Sequence, residues 1–180
     1  MKTRAILFIF ALFLLLVSFP SISFAVATTN PVLEKKLEYL LPFPGILPDH
    51  PLYFLKQIRD GILDRLIVDP LRKAEFHVLQ ADKRLNMGRM LVENGKGTLA
   101  EQVISKGENY LERAVSELSE FKSTGRAVPA SLIDRLMRST EKHVEVLNEL
   151  VLKTEGEIKA GLTGSVEFVK KVQGKIEKLK

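Results

Sequence analysis

A chain of 180 residues with 27 Lys and Arg against 22 Asp and Glu is sized for one domain and carries a net charge of +5. It has no Trp, and 46% of its residues are hydrophobic. It also has no Cys, which excludes a disulfide framework, a thiolate metal site, a Cys nucleophile and the lipid-bearing Cys of a bacterial lipoprotein.

Residues 1–25 read as an export signal peptide. Lys2 and Arg4 make a cationic start, Ala5 to Val17 is an unbroken run of 13 apolar residues, and Pro20 breaks the helix. Ser23-Phe24-Ala25 then supplies small residues at the −3 and −1 positions of a cleavage site between Ala25 and Val26. The alternative is an uncleaved N-terminal membrane anchor. Ala5 to Phe24 is 20 residues, which can just span about 30 Å of hydrocarbon at about 1.5 Å per residue. Pro20, Ser18, Ser21 and Ser23 weigh against that version. Both readings put the rest of the chain outside the cytoplasm, secreted, periplasmic or at the cell surface. Without residues 1–25, 155 residues remain with a net charge of +3 and only five of the ten Phe, so an aliphatic core is expected.

Residues 26–50 are expected to form an extended, proline-rich strap. Prolines at 42, 44, 48 and 51 prevent a regular helix, and Pro44-Gly45 fits the central positions of a type II turn. Leu41, Phe43, Ile46 and Leu47 are too apolar for a free linker, so the strap should pack on the helices that follow.

Residues 51–180 are expected to be a helical bundle. Asp49 can cap a first helix with Pro51 in its first turn, and Leu55, Ile58, Ile62 and Leu66 recur at the period of one helix face. Asp69-Pro70 repeats the cap-then-proline signal for a second helix, which stops at Asn94-Gly95-Lys96-Gly97. This second helix has two apolar stripes, one through Leu71, Ala74, Val78, Ala81, Leu85 and Val92, the other through Phe76, Leu79, Met87 and Met90. It therefore wants neighbours on both sides. Thr98 with Glu101 reads as a capping box for a third helix, closed by Thr124-Gly125. A fourth starts between Pro129 and Ser131 and runs through Ile158, with Gly161 and Gly164 breaking it before a last amphipathic helix. No stretch alternates long enough for a sheet, so the expected fold class is all-α: an antiparallel bundle of four to five helices behind the strap.

Three blocks carry a resemblance to a known family. The first is the run from Tyr39-Leu40-Leu41-Pro42-Phe43-Pro44-Gly45 through Ile46-Leu47-Pro48-Asp49-His50-Pro51 to Leu52-Tyr53-Phe54-Leu55-Lys56. The second is Asp69-Pro70, Lys73-Ala74-Glu75 and Ala81-Asp82-Lys83-Arg84, and the third is Lys142-His143 with Val146-Leu147. Over roughly residues 35–170 the chain resembles a family of exported bacterial and archaeal helical domains of unknown function. The resemblance implies an exported or membrane-tethered helical domain and carries over no functional residue.

The chemistry-bearing residues point away from catalysis. His50, His77 and His143 lie in different segments, with no Glu-x-x-His, His-Glu-x-x-His or calcium-loop spacing, so no metal and no cofactor are expected. His143 lies at the margin of an apolar stripe and reads as a hydrogen-bonded boundary residue. No nucleophile elbow, phosphate loop or dinucleotide glycine pattern occurs, and Glu141, Glu145 and Glu149 describe a solvated helix face. No catalytic residue is assigned.

Lys83 falls within the second stripe of its helix, where it must reach water or meet a carboxylate from another helix. An interhelical salt bridge that fixes register is expected. The alternative is an interaction surface made of Tyr53, Lys56, Asp82, Lys83 and Arg84. Residues 163–180 hold five Lys and two Glu, a basic end suited to an anionic wall polymer or a lipid surface. Nucleic acid is not expected as a partner, because the basic residues are not clustered with stacking aromatics. The sequence therefore describes an extracytoplasmic, non-catalytic binding or scaffolding module of the cell envelope. Two alternatives stay open: an envelope hydrolase or small-ligand carrier with a pocket between helices, and a membrane-tethered accessory subunit.

Overall fold

The structure is a computed structural model that describes residues 39–180. The export segment, its cleavage site at Ala25 and Val26, and the first part of the strap lie outside the described residues. Five helices follow the strap: α1 (Tyr53–Leu66), α2 (Pro70–Glu93), α3 (Gly97–Ser123), α4 (Ala130–Leu152) and α5 (Gly156–Glu177). Among the described residues there is no strand, and the fold is all-α.

Residues 94–96, 124–129 and 153–155 connect the last four helices, which are each 22 to 27 residues long. Connections that short cannot cross a helix of about 35 Å, so successive helices run antiparallel. The close pairs are α2 with α3, α3 with α5, α5 with α4 and α4 with α2, which closes a four-helix ring. Neighbours that are not consecutive, α2 with α4 and α3 with α5, therefore run parallel, and their midpoints face each other. This register later brings Asp82 to His143.

The ring encloses an aliphatic core of Leu85, Ile104, Leu111, Leu118, Leu136, Leu147, Leu150, Leu162 and Ile176, with Phe121 the sole phenylalanine buried among the described residues. α2 contributes to two clusters: Ala74, Val78, Ala81 and Leu85 of its first stripe join the main core, while Met87 of the second packs with Leu91, Ala100 and Val103 in a smaller one. Phe76, Leu79 and Met90 are only partly buried and join neither. The α2–α3 crossing is tight. A Cβ on Gly88 would lie 2.3 Å from Cγ1 of Ile104, and one on Gly107 would lie 3.1 Å from Cβ of Arg84.

Several helix ends follow the sequence. The Asp69 carboxylate accepts the Arg72 backbone N–H at 2.8 Å, and Pro70 opens α2. Gly45 adopts φ +75° after Pro44, as the turn needs. Others differ. Asp49 does not cap α1, which starts at Tyr53; its carboxylate instead takes the Lys96 ammonium at 2.6 Å, tying the strap to the α2–α3 connection. Thr98 does not cap α3, which begins at Gly97, where the missing Cβ leaves room for Ile158 of α5. The break after α4 comes at residues 153–155, before Gly156 at φ +59°, and Gly161 and Gly164 lie inside α5.

The largest correction concerns α1. Leu55, Ile58, Ile62 and Leu66 do form one face, but that face points to solvent; Ile58 is 56% exposed and Leu66 69%. The face turned inward carries Tyr53, Lys56, Asp60 and Asp64, and Lys56 is only 9% exposed. The ring of α2 to α5 is already closed, so α1 docks through Lys56 and Asp64, which find partners in the strap and α2, rather than through its aliphatic stripe. Asp60 pairs only with Arg59 of its own helix, and its Oδ2 has no partner.

Candidate functional site

The residues singled out as an interaction surface divide into two groups. Asp82 turns into the bundle, 1% exposed, where its Oδ1 accepts from Ser139 Oγ at 2.6 Å and lies 3.1 Å from His143 Nε2. Its Oδ2 accepts from the Tyr39 hydroxyl at 2.5 Å. Three chain segments (the strap, α2 and α4) thus meet on one carboxyl group. Burial, followed by the charge and hydrogen bond of Asp82, holds the Tyr39 hydroxyl pKa well above the usual phenol range. His143 is not at a boundary but buried in the core. Ser139 donates to the carboxyl group and not to the imidazole, so the three residues form a polar brace between α2 and α4.

The second group gathers beneath α1. The Lys56 ammonium donates to the Pro44 carbonyl at 2.6 Å and lies 5.8 Å from the Tyr53 ring centroid. Burial, with Arg84, Lys83 and Arg59 pushing the same way and Asp60 opposing, lowers its pKa to about 8. Asn86 donates to the Pro42 carbonyl at 2.9 Å, so two backbone carbonyls of the strap are held by side chains of α1 and α2. Tyr53 is half-buried against the Met87–Leu91 cluster. Lys83 forms no ion pair among the described residues; the interhelical polar link expected of it is made by its neighbour Asp82.

Arg84 leaves the Asp82 side and lies over Tyr110 of α3, with Cζ 4.2 Å from the ring centroid. Its Nη1 donates to Oε1 of Gln80 at 2.6 Å and to the Gln80 carbonyl at 3.1 Å. Arg113 approaches the same ring at 5.4 Å. Asp64 of α1 closes the arrangement, 2.6 Å from His77 Nε2 and 3.5 Å from Arg113. These groups border a cleft of about 280 Å³ lined by Gln57 and Gly61 of α1, Arg84 of α2, and Lys106, Asn109, Tyr110 and Arg113 of α3.

Sequence reasoning reached Tyr53, Lys56 and Arg84 but missed Asp64, His77, Tyr110 and Arg113. One signal for the cleft was readable: Lys106, Asn109, Tyr110 and Arg113 follow the i, i+3, i+4, i+7 spacing of a single helix face. Among the described residues no cluster of His, Cys, Asp and Glu could hold a metal ion, and no helix is long and apolar enough to cross a membrane.

Comparison with curated proteins and with solved structures finds no match. Residues 45–157 match the family model described as a domain of unknown function, DUF5667. The match begins inside the strap, spans α1 to α4 and includes both the Asp82 brace and the cleft. Covering more than half of the chain, it shows that the protein belongs to the DUF5667 family.

Proposed function

We propose that this protein is an extracytoplasmic, non-catalytic module of the cell envelope that works by binding a partner through the outward face of α1. The observation that carries the reading is the orientation of that helix. Phe54, Leu55, Ile58, Ile62 and Leu66 are each about half exposed or more on a helix whose Lys56 and Asp64 turn inward, to the Pro44 carbonyl and to His77. Monomers seldom leave such a stripe uncovered when the opposite, polar side is the one docked. The sequence of residues 1–25 supports export, either cleaved or retained as an anchor. The sealed Asp82–Ser139–His143 brace supports a non-catalytic role, since the side chains with the most familiar reaction chemistry are buried and spend their protons on one another.

The test compares the wild-type chain with an Ile58→Glu/Ile62→Glu variant, each cross-linked in intact cells and recovered from the envelope fraction. The wild type should yield one defined cross-linked species that the variant loses, at equal melting temperature because both positions are exposed. Equal cross-linking in the two proteins would sink this reading. Intact-mass measurement of the recovered protein decides between a cleaved export signal and a membrane-tethered accessory subunit.

A further inference from the structure

The cleft beside α1 has a composition that the proposed docking face does not use. Of its seven lining residues, three are cations, two are amides, one is a tyrosine and one is a glycine; none is a carboxylate. Arg84 is 7% exposed, and a cation buried that far is normally matched by an anion. Here its hydrogen bonds among the described residues are both made by Nη1, to the neutral Gln80, and Nε is fully buried without a partner. Arg113 lies within 5.4 Å of the same tyrosine ring, and Lys106 stands one turn before Tyr110 on the same face of α3. Asp64 already serves His77 at 2.6 Å and reaches Arg113 at only 3.5 Å, and Asp60, buried on the inward face of α1, makes its ion pair with Arg59 at 2.7 Å.

The rest of the cleft suits an occupant. A Cβ on Gly61 would meet nothing within 4 Å, so α1 presents an open wall where most residues would project a side chain. The Tyr110 ring centroid lies 4.2 Å from the Arg84 guanidinium, a cation–π contact that restrains it. Donors arriving from two helices and three side chains match the three free oxygens of a phosphate better than the two of a carboxylate. Gln57 and Asn109 add amides that can pair with hydroxyl groups.

We propose that the cleft formed by Gln57, Gly61, Arg84, Lys106, Asn109 and Arg113 binds the phosphate group of a polyol phosphate ester. The volume of about 280 Å³ admits the phosphate and a short polyol but not a folded partner. Such an ester exists free in solution or as the headgroup of a lipid. Gln57 and Gly61 lie on the edge of α1 next to Phe54 and Ile58, so acyl chains attached to the polyol would meet the apolar stripe.

Titration calorimetry on the full-length chain in maltoside micelles at low ionic strength tests the site with glycerol 3-phosphate, glycerol and acetate as probes. Saturable binding of glycerol 3-phosphate is expected, with none for glycerol and at least tenfold weaker binding for acetate. Lys106→Ala/Arg113→Ala removes two exposed cations and Gly61→Leu fills the cleft without touching a charge. Each should weaken binding at least tenfold, while Ile58→Glu leaves it unchanged. No saturable binding, equal binding of acetate, or unchanged binding in both cleft variants would overturn the proposal. Dihexanoylphosphatidic acid, the short-chain diacyl form of the same ester, separates the two sources. Binding at least tenfold tighter than glycerol 3-phosphate, lost in Ile58→Glu, supports a lipid headgroup; equal binding supports a free ester. Because the readout is a small anion, loss of the partner cross-link and loss of this binding are separable results.

Discussion

The hydroxyl of Tyr39 and the carboxyl group of Asp82 lie 2.5 Å apart although 43 residues separate them in the chain. That bond joins the first described residue of the strap to the middle of α2. The same carboxyl group holds Ser139 and His143 of α4, so strap attachment and helix register share one acceptor. Asp82→Ala should therefore destabilise by about 3 kcal/mol, because it orphans the buried Ser139 and His143 and the half-buried Tyr39 hydroxyl at once. Tyr39→Phe should cost about 1 kcal/mol alone and close to nothing on the Asp82→Ala background. Urea unfolding followed by circular dichroism measures both, and additive losses would show that the brace is not a unit.

Lys56 and Tyr39 make stability depend on alkaline pH in opposite directions. Burial lowers the Lys56 pKa to about 8, below the unfolded value of about 10.4, so between those pH values the unfolded chain binds more protons. Stability must rise with pH across that window as the cost of a buried ammonium is relieved. Tyr39 is shifted upward, so its contribution is present below about pH 10 and is lost above it, where only the unfolded chain ionises. Tyr53, also raised by burial, adds to that loss. The urea midpoint should climb from pH 8 toward pH 10 and then fall. Lys56→Met should flatten the climb and Tyr39→Phe the fall.

Glycines on α1 and α2 should respond to substitution with opposite signs. Gly61 faces open space, so Gly61→Ala should stabilise α1 by about 0.5–1 kcal/mol through helix propensity. Gly88 meets Ile104 at 2.3 Å from where a Cβ would stand, inside a packed core, so Gly88→Val should cost about 2 kcal/mol. Thermal melting of the two variants is the measurement, and a stabilising Gly88→Val would contradict the close α2–α3 crossing.

Glu108 is buried with Oε1 unpartnered, and its carboxyl pKa is raised, first by that burial and also by Glu101, against the opposing effects of Ser165 and His143. A raised folded value means its contribution is fully present below the unfolded pKa of about 4.3 and is lost as pH rises through the folded pKa. Glu108→Gln should raise the urea midpoint at pH 7, with the advantage shrinking toward pH 4. An unchanged midpoint at both pH values would remove the case for a strained carboxylate.

Much of this fold is legible in the chain because helix signals are local. Asp69-Pro70 opens α2 where the cap and proline require, Gly45 follows Pro44 with the positive φ of its turn, and the first apolar stripe of α2 lies in the main core. Competing partners explain the failures. Asp49 is a good cap in isolation, yet Lys96, 47 residues away, gives it a charged contact that no local pattern reports. The cleft was half visible, as a stripe of Lys106, Asn109, Tyr110 and Arg113, but its other walls come from α1 and α2.

By itself the sequence determined the helices, the aliphatic core and the proline strap, because periodicity, caps and prolines act within a few residues. Only the tertiary structure decided which face of α1 docks. A period of 3.6 shows that one side of a helix is apolar, but not that anything covers it. Here the inward side was chosen by Lys56 reaching Pro44 and by Asp64 reaching His77 and Arg113. The tertiary structure also decided that Asp82, rather than Lys83, links the helices. That choice depends on α2 and α4 lying side by side in parallel, an arrangement set by how the ring closes and not by any single helix.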